Sequence, residues 1–259
     1  MITSKTNPRI KNIAKLAKAS ERKQQNLFVV EGYREIDRAI ASGYKLKELF
    51  FCNELFQNKA WINSIIALSS FVEEVSSDVF AKIAYREQSD GLLALFESKN
   101  LSLENVKLCH NPLIIVLESV EKPGNLGAVL RTADAAAVDA VIVCDPRTDI
   151  YNPNTIRSSL GCVFSVPTVT ANSSETIHWL LNNRIRIVAT SLEASIPYTQ
   201  ADFTLPTALI MGTEATGLSA QWTEIADQNI IIPMRGIADS LNISVSTAIV
   251  LFEALRQRE

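Results

Sequence analysis

Five short, predominantly apolar runs in the second half restrict this chain's possible folds more than any other feature: Leu113-Ile114-Ile115-Val116-Leu117, Ala140–Cys144, Ile185–Thr190, Thr207–Met211 and Ile230–Ile232. A strand that alternates apolar and polar residues has one wet face; a continuous apolar strand is buried on both. Between the runs lie segments of helical length, with helices predicted at 126–136, 153–160, 174–182, 219–227 and 243–257. Strands joined by helical crossovers run parallel. The expected fold is therefore α/β, a parallel sheet covered on both faces. Ligands in such sheets collect in the loops beyond the carboxyl ends of the strands.

The first half reads as a smaller α/β unit. Residues 7–25 form one or two basic helices in which Ile10, Ile13, Leu16 and Ala17 make an apolar stripe. Strands are expected at Leu27–Val30, Leu46–Cys52, Phe71–Val75 and Leu92–Phe96, with helices at 33–42, 58–68 and 77–85. The apolar runs stop between Glu97 and Pro112, in a polar stretch ending Asn111-Pro112, a turn signal. The expected division is residues 1–98, a linker at 99–112, and 113–259. A chain of 259 residues has the length for two such domains.

Charge is segregated. Residues 1–47 carry eleven Lys or Arg against four Asp or Glu, a net of +7, leaving −10 for the rest of a chain whose total is −3. A basic end on an acidic chain suits a phosphate-facing surface; equally, it is what a solvated helix face looks like. With 47% hydrophobic and 20% charged residues, low-complexity disorder is not expected. No apolar run reaches the roughly 20 residues of a membrane span, and the N-terminus lacks secretory-signal features. A cytoplasmic protein is expected. The four cysteines (Cys52, Cys109, Cys144, Cys162) form no CxxC pair and the only histidines are His110 and His178, so no metal is expected.

Three loops after strands carry an excess of polar and glycine residues. The first runs from Glu118 through Asn125-Leu126-Gly127-Ala128 into a helix bearing Arg131, with Asn125 at an apparent N-cap. The second, Gly212-Thr213-Glu214-Ala215-Thr216-Gly217-Leu218, flanks one carboxylate with two glycines. The third, Pro233 to Ser246, places Ser240, Asn242, Ser244 and Ser246 at the start of an apolar helix, more than one cap requires. Alone, the first is also an ordinary capped helix and the second an ordinary tight turn.

Together the three resemble the motifs of the SpoU (TrmH-like) family of RNA ribose 2′-O-methyltransferases, in the SPOUT superfamily. The matching residues are Asn125, Gly127, Ala128 and Arg131; Gly212, Glu214, Gly217 and Leu218; and Ile232, Pro233, Met234, Gly236, Ser240, Leu241, Asn242, Ser244 and Val245. They fall in family order over about residues 113–257. Asn7-Pro8-Arg9-Ile10-Lys11 and Phe28-Val29-Val30-Glu31-Gly32 resemble, more briefly, the substrate-binding domain often fused to these enzymes.

The resemblance implies a SPOUT domain with a deep trefoil knot, preceded by a smaller RNA-binding domain, and a homodimer. It implies an enzyme that transfers a methyl group from S-adenosylmethionine to a ribose 2′-hydroxyl of structured RNA, with 23S rRNA favoured over tRNA. An RNA-binding protein that has lost catalysis on the same scaffold is the alternative; a dinucleotide enzyme lacks its G-x-G-x-x-G. By position, Arg131, Asn125, Glu214, Ser240 and Asn242 would serve catalysis. Thr190, Ser191, Gly212, Gly217, Ile232, Met234 and Leu241 would line the cofactor pocket. Lys5, Arg9, Lys11, Arg22 and Lys23 would track RNA phosphates. Family proposals make the arginine a general base; since arginine stays protonated in proteins, the alternative is an electrostatic stabiliser.

Overall fold

The computed structural model of the chain describes residues 1–99, 101–193, 195–213 and 216–259. Its contacts divide it into two compact units, Met1–Asn100 with Asp149–Ser165, and Leu101–Thr148 with Val166–Glu259.

The first unit opens with α1 (Pro8–Lys15) and α2 (Ala19–Gln25), followed by β1 (Leu27–Glu31), α3 (Tyr33–Ala41), β2 (Leu46–Phe51) and α4 (Lys59–Ile65). It continues through β3 (Phe71–Glu74), α5 (Ser77–Ile83) and β4 (Leu92–Glu97). The helix α1 starts where Asn7 accepts a hydrogen bond from the Arg9 amide at 2.9 Å and Pro8 occupies the first turn. The strands form a sheet in the order β1-β4-β2-β3, so β1 is an edge. Ile10, Ile13 and Leu16, the expected stripe, are buried against Phe50, Val79, Phe80 and Leu95. Ala17 is exposed instead, because the helix has ended before it.

The second unit begins with β5 (Leu113–Glu118), α6 (Pro123–Ala135) and β6 (Ala140–Cys144). The chain then supplies α7 (Pro153–Ser158) and α8 (Cys162–Ser165) to the first unit. It returns for β7 (Thr168–Ala171), α9 (Ser173–Asn182), β8 (Arg186–Thr190), β9 (Ile196–Pro197), β10 (Thr207–Met211), α10 (Ala220–Ile225), β11 (Gln228–Ile231) and α11 (Ile243–Arg258). The seven strands lie in the order β7-β6-β5-β10-β8-β11-β9, and every pairing is parallel. One face packs Ile114, Val116, Ile142, Ile187 and Ile210 against Leu180 of α9 and Trp222 of α10. On the alternate positions Ile115, Leu117, Leu209 and Met211 are equally buried, on the side of α6 and α11. Each such side chain contributes about 1.5–3 kcal/mol.

The structure departs from expectation in three further places. Residues 149–165, expected in the C-terminal domain, pack on the first unit: Tyr151 stacks on Phe28 at 4.2 Å and Phe164 at 5.8 Å. Two strands went unread, β7 because Thr168 and Thr170 mask its apolar character, β9 because it is two residues long. Finally, α6 begins at Pro123 rather than 126, since proline is suited to the first helical position. No helix among the described residues is long and apolar enough to cross a membrane.

Candidate active site

The strand order locates one crevice. From β5 the chain adds β6 and β7 on one side, then crosses over to build the other four strands. Thus β5 and β10 flank the point where the winding reverses, the usual ligand position in parallel sheets. Met211 pairs with Leu117, Ile210 with Ala189, and Ile230 with Thr190. The loops leaving β5, β8, β10 and β11 therefore emerge side by side at the carboxyl edge, and every loop singled out in the sequence is among them.

The loop after β5 opens on Ser119, whose φ of 52° puts a non-glycine residue in the left-handed region; such strain persists only where surroundings hold it. The Ser119 amide donates to the Cys144 carbonyl at 2.8 Å. The cap of α6 is Lys122, so Asn125 lies inside the first turn and not at the cap the sequence suggested. Arg131 is exposed, and its guanidinium has no hydrogen-bond or ion-pair partner among the described residues.

The loop after β10 folds on itself. The Thr213 and Gly217 amides each donate to the other's carbonyl at 3.1 Å, and Gly217 takes a φ of 65°. A Cβ on Gly212 would stand 2.3 Å from the Gly217 carbonyl carbon and 2.5 Å from the Leu218 nitrogen. The steric need for glycine at 212 is thus the loop's own backbone, the tight-turn alternative that the sequence left open. The loop's exit is held by Glu118, a buried carboxylate that accepts from the Ser219 amide at 2.8 Å and its hydroxyl at 2.6 Å. Glu214 lies outside the described residues.

After β11, Ile232, Met234 and Leu241 are half-buried while 235–240 are exposed. Asn242 caps α11, its Oδ1 accepting from the Ser244 amide at 3.0 Å and hydroxyl at 2.6 Å. Its Nδ2 donates to Asn125 Oδ1 at 3.2 Å, joining the first and third loops across 117 positions of sequence. Ser240 is exposed, 3.4 Å from Asp239 Oδ1. Thr190 donates to the Ile210 carbonyl at 3.1 Å, and the Ser191 amide to the Ile230 carbonyl at 3.0 Å, tying the loop after β8 to both neighbouring strands.

The N-terminus of α6 opens at this edge, and the Asn125–Asn242 contact brings the N-terminus of α11 beside it. Helix N-termini favour negative charge. Cys144, at the end of β6, is buried with its thiol donating to the Thr176 hydroxyl at 3.2 Å, and burial pushes that thiol up to about 12. Among the described residues no group of three or more His, Cys, Asp or Glu is placed to hold a metal ion.

In the first unit, Lys5, Lys11 and Lys23 are exposed. Arg9 is exposed too, paired with Glu48 and lying 3.7 Å from the Phe71 ring centre. Arg22 corrects the sequence reading. It is 4% exposed, with Nε on Asp149 at 2.6 Å and Nη1 on the Leu16 and Ala17 carbonyls, each at 2.8 Å. Its charge is spent inside the fold and does not face solvent.

A parallel sheet wound about β5 and β10, with these loops at one edge, is the architecture of a known class of RNA-modifying proteins. The chain belongs to the SpoU rRNA Methylase family, whose model matches residues 112–252; residues 7–94 match the MRM3-like substrate binding domain. It is 30% identical over 251 residues to the 23S rRNA (guanosine(2553)-2′-O)-methyltransferase RlmP of Bacillus subtilis (strain 168), covering 97% of each chain. The crystal structure of an RNA 2′-O ribose methyltransferase superposes with a TM-score of 0.86 at 42% identity, over 99% of this chain and 98% of that one. An AdoMet-bound rRNA methyltransferase from Sinorhizobium meliloti gives 0.90 at 33% identity, over 98% and 97%.

Sequence reasoning missed Glu118 and Ser219. A glutamate ending an apolar strand was the available signal: so placed, it must be buried or satisfied by the loops beyond.

Proposed function

We propose that this chain transfers a methyl group from S-adenosylmethionine to a ribose 2′-hydroxyl of structured RNA, with 23S rRNA the substrate favoured over tRNA. The observation that carries this is the Asn125–Asn242 contact, which joins the first and third family motifs at the sheet's reversal point. The residues present fit the cofactor. Main-chain groups at the ends of β8, β10 and β11, with the half-buried Ile232, Met234 and Leu241, offer adenine apolar walls and backbone hydrogen bonds. Thr190, Ser191, Gly212 and Gly217 complete that lining, and the threaded chain of the family knot would shape it. The cofactor supplies an electrophilic methyl on a sulfonium.

The protein's task is to make a weak alcohol nucleophile react. With the cofactor bound, attack would form the oxygen–methyl bond as the methyl–sulfur bond breaks, and the hydroxyl proton would leave to a base or water. Positive charge at the oxygen lowers that barrier. Arg131 supplies it with a guanidinium not engaged by any described residue, and the two helix N-termini add to it. Asn125, Ser240 and Asn242, with Glu214, orient the ribose. Lys5, Arg9, Lys11 and Lys23 hold RNA phosphates, so affinity falls steeply with salt.

Two copies act together in this reading. It is supported by α11, which exposes Val245 and Phe252 two turns apart on one face. The setting in this reading is the cytoplasm, where a bacterial relative such as that of Bacillus subtilis would meet its rRNA. Mapping ribose methylation in RNA from cells with the gene, without it, and with Arg131→Ala tests the reading: one 2′-O-methyl mark should be present only in the first. Cofactor affinity of the purified variant should be unchanged. A full mark with Arg131→Ala removes the assignment of that residue.

A further inference from the structure

The first unit holds a cavity of about 270 Å³ that the methyl-transfer site does not use. Its walls come from α1, the end of α5, the edge strand β1 and α7. Ile13, Ile83, Pro153 and Ile156 make it apolar, while Ala14 and Ala17 form a small-residue rim exposed to solvent. The volume falls just below the roughly 300–1,000 Å³ of drug-sized ligand sites and suits one ring system.

Three polar groups face this space with distinct chemistry. Glu31 is 8% exposed. Its Oε2 accepts from the Tyr85 amide at 2.6 Å and the Arg86 amide at 3.3 Å, but Oε1 has only a 3.4 Å contact with that same amide. A buried carboxylate oxygen so poorly satisfied calls for a donor. Tyr85 also lines the cavity and is 54% exposed. Arg157 is exposed and its side chain has no partner among the described residues. The other cations are engaged, Lys82 with the Lys5 carbonyl at 3.0 Å and Arg86 with Glu35 at 2.8 Å.

Resting on the RNA reading above, we infer that this cavity receives one unstacked nucleobase of the RNA, and that the base is guanine. Apolar walls and a tyrosine ring suit the faces of a base swung out of its stack, which is how proteins read RNA sequence. A carboxylate accepts hydrogen bonds and donates none, so it selects an edge of N–H donors. Guanine offers two adjacent donors, N1–H and N2–H, on its Watson–Crick edge; adenine offers one and uracil one imino group between two acceptors. The free guanidinium of Arg157 meets the accompanying phosphate.

The test uses the full chain with saturating S-adenosylmethionine, so that the second unit's site is filled, and guanosine 5′-monophosphate as probe in saturation-transfer NMR. Binding should weaken about tenfold or more with adenosine or uridine 5′-monophosphate, and likewise for guanosine 5′-monophosphate with Glu31→Gln. Ala14→Trp and Ala17→Trp, both at exposed positions, should plug the cavity and abolish binding while the melting temperature holds. RNA carrying 6-thioguanosine should crosslink on irradiation to the peptide containing Tyr85. Binding equal for all three nucleotides, binding that survives both plugs, or crosslinks confined to other peptides each overturns the inference. Labelled methyl transfer to rRNA is measured in parallel. Transfer without nucleotide binding removes the pocket alone; nucleotide binding without transfer removes the enzyme reading alone.

Discussion

Glu118 makes a sharp claim about how the site is held, and a double-mutant cycle with Ser219 tests it. The carboxylate accepts two hydrogen bonds from Ser219, at 2.8 and 2.6 Å, and has no cationic partner among the described residues. Hydrogen bonds to a charged group are each worth about 1.5–3 kcal/mol. Removing the carboxylate also relieves the cost of burying an unpaired charge, which is several kcal/mol. Glu118→Ala should therefore cost a net of about 1–3 kcal/mol, felt where Gly212–Ser219 leaves the sheet. If about 1–2 kcal/mol of this reaches the cofactor pocket, calorimetry should find S-adenosylmethionine bound roughly 5–30-fold more weakly. Ser219→Ala removes only the hydroxyl bond and should cost less. Because the two residues share one interaction, the double variant should resemble Glu118→Ala, with a coupling of at least about 0.5 kcal/mol. Additive effects, or an unchanged cofactor affinity in Glu118→Ala, would refute the anchoring role.

Other variants separate binding from stability. Arg22→Ala should lower unfolding stability by about 2–4 kcal/mol in urea, since it strips a buried guanidinium from Asp149 and two carbonyls; Lys11→Ala and Lys23→Ala should instead leave the urea midpoint alone and weaken RNA binding. Asn242→Asp retains the α11 cap, whereas Asn242→Ala should cost about 1 kcal/mol in stability; both should slow methyl transfer if the amide's contact with Asn125 matters. Of the four thiols, only Cys109 is exposed. Partial desolvation of its sulfur and the neighbouring Asp139 raise its pKa, so a disulfide reagent should label one thiol slowly at neutral pH, faster as pH rises, and all four after denaturation.

The parallel sheet was legible because β5, β6 and β10 are apolar at nearly every position, and the edge that holds the candidate site because three polar loops each follow a largely apolar run. What escaped was set by contacts remote in sequence. Nothing local marks Asp149–Ser165 as belonging with the first unit; Tyr151 and Phe164 find Phe28 only in the folded chain. Arg22 sits among lysines in a basic segment, and its burial depends on Asp149, 127 positions away. The tight turn at Gly212 was legible as one of two readings, but not the backbone that enforces glycine there, the return of the chain at Gly217.

The most direct measurement is chemical. Purified protein is incubated with rRNA transcribed in vitro and S-adenosylmethionine labelled in its methyl group, and the RNA is digested to nucleosides for mass spectrometry. The label should appear in a single 2′-O-methylnucleoside and vanish with Arg131→Ala. Label on a base, or none with any RNA offered, would contradict ribose methylation as the function of this chain.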